Sequence, residues 1–298
     1  MNSIIPSTTL RLIWPQWQGA TAEMVAELAP EFPLETARRG YAVGTEVLQA
    51  VLPQHDGPTA VVPVDMGNEG LQERDGLEAK EAVVRQLSKA VELVREHAPE
   101  RILTLGGECS VSVAPFTSLA AKYGDDLAVL WVDSHPDIGT GTSDYHGYHA
   151  MAVSAITGHG DQDILDELPA TVPAARVALV GLHDWTDDDF PNVADWGLST
   201  FTPDDLRSGT NALVEWLKST GATKVAIHLD VDTIDSNEVV LGLGAVPDGL
   251  TSVQAQRIVA DVRAEFDVVG LTIAEFIPRQ VMHLTTLVAD FPLVNGRP

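Results

Sequence analysis

Leu127-Ala128-Val129-Leu130-Trp131-Val132-Asp133-Ser134-His135-Pro136-Asp137 begins as an unbroken apolar run and ends with polar side chains at alternate positions. A short apolar run without alternation reads as a strand buried on both faces, as in a parallel sheet covered by helices on either side. Asp133, His135 and Asp137 stand at i, i+2 and i+4, so on an extended backbone they face the same way. The carboxyl ends of parallel strands are where open α/β sheets bind their ligands.

Working outward, further short apolar runs are expected as strands at Leu10 to Trp14, Ala60 to Val64, Ile102 to Leu105, Val177 to Val180, Val225 to Leu229 and Val268 to Ile273. Segments of helical period alternate with them. From Leu77 to His97, Ala79, Val83, Leu87, Val91 and Val94 recur at threes and fours while Glu78, Lys80, Lys89 and Arg95 take the other side. Pro203-Asp204-Asp205 after Thr202 opens another helix, and Thr251 through Glu265 forms a third. No repeat, low-complexity tract or linker interrupts the alternation. The expectation is one α/β domain over residues 1–298, three layers (α/β/α) around a mostly parallel central sheet. The stretch from Ser134 to Tyr148 lacks periodicity, follows a strand directly, and is of the kind that carries function.

The chain has 298 residues, 45% of them hydrophobic, and its 18 Lys+Arg against 43 Asp+Glu leave a net charge of −25. Such a charge repels phosphates before contact, which argues against nucleic acid or an anionic membrane as partner. Cys109 is the single cysteine, so no internal disulfide forms, and Met1-Asn2-Ser3-Ile4-Ile5-Pro6 has neither the basic start nor the apolar run of a signal peptide. A cytoplasmic location is expected.

The strand Val225 to Leu229 ends in Asp230-Val231-Asp232, again two carboxylates at a spacing of two. Either motif alone also reads as a polar turn or a capped strand end. Together, Asp133, Asp137, Asp230 and Asp232 would repel one another at one place unless cations neutralise them, and two divalent ions supply that charge. An oxygen-rich site with an imidazole suits Mn²⁺ or a similar ion, and paired metals activate a shared water near neutral pH. The chemistry implied is metal-assisted hydrolysis.

At these residues the chain resembles the ureohydrolase family of arginases, agmatinases and their relatives, whose hallmarks are GGDHS, DAHxD, SxDxD and a late strand ending in Glu-x-x-Pro. The corresponding segments are Gly106-Gly107-Glu108-Cys109-Ser110, Asp133 to Asp137, Asp230-Val231-Asp232 and Glu275-Phe276-Ile277-Pro278, in the family's order. The resemblance implies that Asp133 and Asp230 bridge two Mn²⁺ ions, that Asp137 completes one shell, and that His135 and Asp232 complete the other. It implies that Glu275 meets a guanidinium, that Asp232 orients the attacking water, and that His149, in His149-Ala150-Met151, shuttles a proton, with His146 as a rival. Trimers or hexamers are the family's usual assemblies.

Cys109 departs from the family, standing where a metal-binding histidine is expected. It is either a thiolate ligand at the first ion, which also opens the site to other divalent ions, or a small buried side chain with no ligand role. The groups that hold an amino acid's α-amino and α-carboxylate ends are replaced at Gly139, Thr186 and Gly244, and the nearby loops read Ser143 to Tyr148 and His183 to Asp189. Tyr148, Asp184 and Trp185 are the candidate substrate contacts, with His183 a further candidate for the pocket lining. His228 shares a strand face with Asp230 and Asp232 and is expected to hydrogen-bond a ligand rather than touch metal.

The expectation is therefore a dimanganese hydrolase of a guanidino C–N bond, releasing urea or a urea analogue and an amine. One alternative is an Nω-hydroxy-L-arginine hydrolase releasing hydroxyurea and ornithine. Another is a non-catalytic metal- and cation-binding protein on the same fold.

Overall fold

A computed structural model describes residues 9–295, so the reading of Met1 to Pro6 lies outside the described residues. Among the described residues there are eight strands, β1 (Thr9–Trp14), β2 (Thr59–Val61), β3 (Arg101–Gly106), β4 (Leu127–Val132), β5 (Val177–Val180), β6 (Ser199–Phe201), β7 (Lys224–Asp230) and β8 (Asp267–Ala274). They form one sheet in the order β2-β1-β3-β8-β7-β4-β5-β6, and every pairing is parallel. The mostly parallel sheet expected from the sequence is thus wholly parallel within one α/β domain.

The unbroken apolar runs follow from burial on both faces. In β4, Val129 and Trp131 pack into one core with Leu10, Leu12, Val177 and Leu179, while Ala128, Leu130 and Val132 pack into the other with Leu103, Leu105 and Ile227. The helices Lys80–His97 and Val113–Tyr123 lie over the first core, and Asn211–Thr220 and Ser252–Glu265 over the second.

Some boundaries differ from expectation. The helix expected from Leu77 starts at Lys80, because Ala79 takes a left-handed φ of 59° and interrupts the helical backbone before it. β2 ends at Val61, two residues before Pro63, which has no N–H to extend the ladder. β6 is a short, partly exposed edge strand that no apolar run announces. Thr202 caps its helix, and Thr251, expected as the first residue of the third helix, is instead the N-cap of Ser252–Glu265; each closes a reciprocal capping box, with Asp205 or Gln254. Among the described residues no helix is long and apolar enough to cross a membrane.

The consequence for chemistry is positional. β3, β8, β7 and β4 are consecutive neighbours, and their carboxyl ends carry Cys109, Glu275, Asp230 and Asp133.

Candidate metal centre

Each donor is held by its own strand end. After β3, a Cβ on Gly107 would lie 1.7 Å from the Gln16 carbonyl oxygen, so only glycine lets the two backbones approach. Glu108, fully buried, accepts from the Ser110 N–H at 2.8 Å and from the Gln16 amide, tying down the single turn Cys109–Ser112. The Cys109 N–H donates to Glu275 Oε1 at 3.0 Å, and the Glu275 N–H donates to the Gly107 carbonyl at 2.7 Å. Glu275 has a φ of 62° and Asp137 one of 49°, so two acidic side chains are aimed by left-handed backbone.

After β4, Asp133 Oδ1 accepts from the His135 N–H at 2.7 Å and Oδ2 from the Trp131 indole at 3.0 Å. After β7, Asp230 Oδ1 accepts from the Asp232 N–H at 2.7 Å. Ser134 donates to Asp232 Oδ1 at 2.6 Å, and His135 Nδ1 lies 3.3 Å from Asp232 Oδ2. His135 Nε2 is 3.4 Å from Asp184.

Three groups of donor atoms result, each within 4.8 Å of one another: Cys109, Asp133, His228 and Asp230; Asp133, His135 and Asp232; Cys109, His149 and Glu275. The first two share Asp133, which places it between two adjacent positions. Asp137 belongs to none of these groups, but it lines the same cavity and its buried Oδ2 has no hydrogen-bond partner.

The charges show strong mutual repulsion. Burial, with Asp232 next, pushes Asp133 up to about 6, and burial lifts Asp137 and Asp230 well above the carboxylate range. Burial opposes ionisation of Asp232 too, but the charge of His135 outweighs it and holds Asp232 low. Burial and then Asp230 push the Cys109 thiol up, and its Sγ sits 2.9 Å from Asp230 Oδ2 as a donor. Buried carboxyls forced towards their neutral forms, with Asp137 Oδ2 unpartnered, are a donor set that a divalent cation fits.

A cavity of about 420 Å³ opens above these donors. Asp184, Trp185 and Thr186 line one wall, and the exposed Trp185 stacks on Phe190 at 4.4 Å between ring centroids. His149 reaches the cavity between Tyr145, whose hydroxyl is 2.7 Å from Nε2, and Glu275, 3.2 Å from Nδ1. Burial disfavours charge on His149, but Tyr145 and Glu275 overcome it and raise its pKa well above the usual imidazole value. His146 instead pairs with Glu73 at 3.0 Å and does not line the cavity.

Two expectations are corrected. Tyr148 is buried in the core beneath the loop and does not line the cavity; Tyr145 takes that place. His183 turns back onto the Gly181 carbonyl at 2.6 Å, so it too is absent from the wall. The sequence reading also missed Tyr41 and Met24, which reach the cavity from distant helices that carry no polar motif.

A family model described as the arginase family matches residues 34–291. In sequence, the chain is 28% identical over 142 residues to the arginase of Staphylococcus aureus (strain COL), covering 46% of this chain and 47% of that protein. The chain thus spans about half the length of that relative. It is 26% identical over 219 residues to the arginase of Saccharomyces cerevisiae, covering 69% of this chain and 64% of that one. In fold, it matches the Entamoeba histolytica arginase solved with L-ornithine at a TM-score of 0.76, with 15% identity and 98% of both chains covered. The agmatine ureohydrolase of Thermoplasma volcanium matches at 0.62, with 16% identity over 100% of this chain and 92% of the other.

Proposed function

The chain belongs to the arginase family, and from that premise we propose that it hydrolyses the C–N bond of a guanidino compound with two divalent cations, Mn²⁺ being the first expectation. The observation that carries this reading is the convergence of Asp230 and Asp232 with Cys109, His135 and Glu275 at the floor of one cavity, with the buried Asp133 within donor distance of both Cys109 and His135. Asp133, His135, Asp137, Asp230, Asp232 and Cys109 would hold the two ions. Such ions, when bound, supply Lewis acidity and an activated water.

The remaining steps belong to side chains. Glu275, held by the Cys109 N–H, presents a carboxylate to a planar guanidinium. Asp232, oriented by Ser134, accepts a hydrogen bond from the attacking water. His149, kept protonated between Tyr145 and Glu275, gives its proton to the leaving amine.

The far end of the substrate meets Gly139, Trp185, Thr186 and Gly244. A Cβ at residue 244 would lie 2.6 Å from Asp232 Oδ2, so a larger residue cannot enter without shifting that carboxylate. L-Arginine is therefore expected to be a poor substrate, since unsatisfied α-amino and α-carboxylate groups cost about 1–3 kcal/mol each. Cys109 beside Asp230 favours a second reading, an N-hydroxyguanidine substrate, because a thiolate donor softens the ion's acidity and suits a more electrophilic carbon.

The test is a panel of ω-guanidino amines, acids, L-arginine and Nω-hydroxy-L-arginine with added Mn²⁺, assayed for urea and hydroxyurea. Turnover of none by protein holding two ions per chain would leave only cation binding. Assembly into trimers or hexamers is part of the same proposal, and a monomer in sedimentation would remove it.

A further inference from the structure

We propose that His228 is itself a metal ligand, giving its Nε2 to the position shared by Cys109, Asp133 and Asp230. The proposal rests on the metal-dependent reading above. The position expected to supply an imidazole at this ion holds Cys109, and β7 brings another imidazole to the same place.

The ring is fully buried and stacked on Trp131, with centroids 3.6 Å apart and planes within 5°. Trp131 and His228 are register partners across β4 and β7, so backbone pairing fixes the stack. Nδ1 lies 2.7 Å from the Ser112 hydroxyl, whereas the buried Nε2 has no hydrogen-bond partner. Its neighbour is Asp133 Oδ2 at 3.8 Å. The four donor atoms all lie within 4.8 Å of one another. Donors at about 2.0–2.3 Å from one ion are at most about 4.6 Å apart, so a small adjustment closes the set.

An imidazole serving only to pack against Trp131 would leave a buried ring nitrogen unpaired, which costs stability. An imidazole that donates from Nδ1 and offers the Nε2 lone pair is how metal-binding histidines are held, with Ser112 as the orienting partner. A neutral nitrogen also adds a donor without adding a further negative charge to Cys109, Asp133 and Asp230. Together with sulfur it makes this position softer than the oxygen-rich one at Asp133, His135 and Asp232, so Co²⁺ or Zn²⁺ should compete well with Mn²⁺ there.

The experiment uses the full chain, stripped of metal and titrated with Mn²⁺ and Co²⁺. Bound metal is counted by elemental analysis, and electron-spin-echo spectra are recorded on Mn²⁺-loaded protein with ¹⁵N-labelled histidine. His228→Phe keeps an aromatic ring against Trp131 and removes the nitrogens. Wild type should hold two ions and show two coupled imidazole nitrogens. His228→Phe should lose one nitrogen signal and weaken the tighter Co²⁺ site about a hundredfold, the upper end of what losing even an indirect partner costs. Two ions with unchanged affinity and an unchanged nitrogen signal in His228→Phe overturn the proposal while leaving the metal-dependent reading intact. Wild type that binds no divalent ion overturns both. Should His228→Phe not fold, the wild-type spectrum decides alone, because a single coupled nitrogen leaves only His135 as ligand.

Discussion

Cys109 holds its proton tightly because burial, and then Asp230, raise the thiol's pKa. Binding as a thiolate must release that proton, so metal affinity should rise with pH. Cys109→His, compared with wild type at matched metal content, is expected to shift the preference between L-arginine and Nω-hydroxy-L-arginine towards arginine; an unchanged ratio would make the cysteine a bystander. Asp133→Asn and Asp230→Asn should each lose both ions. They should also lose the stabilisation that metal gives, about 2.7 kcal/mol at a hundred times the dissociation constant, read as a Tm that no longer responds to added Mn²⁺. His228 adds a pH signature to the metal-free chain. Burial pushes it down to about 3, below its unfolded value, so the unfolded state binds the extra proton across that interval. Its contribution to stability is present above about 6.5 and is lost as pH falls towards 3. His228→Phe should flatten this part of a denaturation series on metal-free protein, and an equally steep fall in the variant would show that other groups carry it.

Among the elements, the strand ends were the most legible part of the chain. β4 declares itself by an unbroken apolar run followed by alternation, and Asp133 and Asp137 follow from it together with Asp230 at the end of β7 and Asp232 just beyond. Glu275 came from the resemblance alone, since one carboxylate after a strand carries no pattern. The loop between Ser134 and Tyr148 was legible as functional but not in detail. Tyr145 and Tyr148 are both aromatic residues in an aperiodic segment, and only the turn beginning at Tyr148 decides which ring is buried. The left-handed backbone at Asp137 and Glu275 was also hidden, because Glu rarely takes a positive φ and Asp, though it does so more often, does so at only a small fraction of positions. The turn after β3 makes the sharpest prediction at this scale. Gly107→Ala must push Gln16 away, at a cost of about 1–3 kcal/mol, and should lower metal occupancy as Cys109 and Glu275 lose register, measured by denaturation and metal analysis on the same sample.

At the scale of the whole molecule, the charge of −25 suits a cationic guanidino ligand, since a negative surface draws cations towards the cavity. Raising ionic strength should lower the association rate of such a ligand more than it changes turnover, checked by the salt dependence of kcat/KM against kcat. The sheet order carries a different consequence. β8 is the last of the described strands, yet it lies between β3 and β7, so it joins the half-sheet β2-β1-β3 to the half-sheet β7-β4-β5-β6. During folding both halves wait on β8, which follows the other seven described strands in sequence, and neither can borrow the other's edge. The position at Cys109, Asp133 and Asp230 draws on β3 and β7, which meet only through β8, and comes into being when that strand wedges in, whereas Asp133, His135 and Asp232 come from the directly paired β4 and β7. A refolding chain should therefore acquire the sulfur-to-Co²⁺ charge-transfer absorbance of the Cys109 position only in its slowest phase, after most helical signal has returned. The metal would then act as a clock for the closing of the sheet.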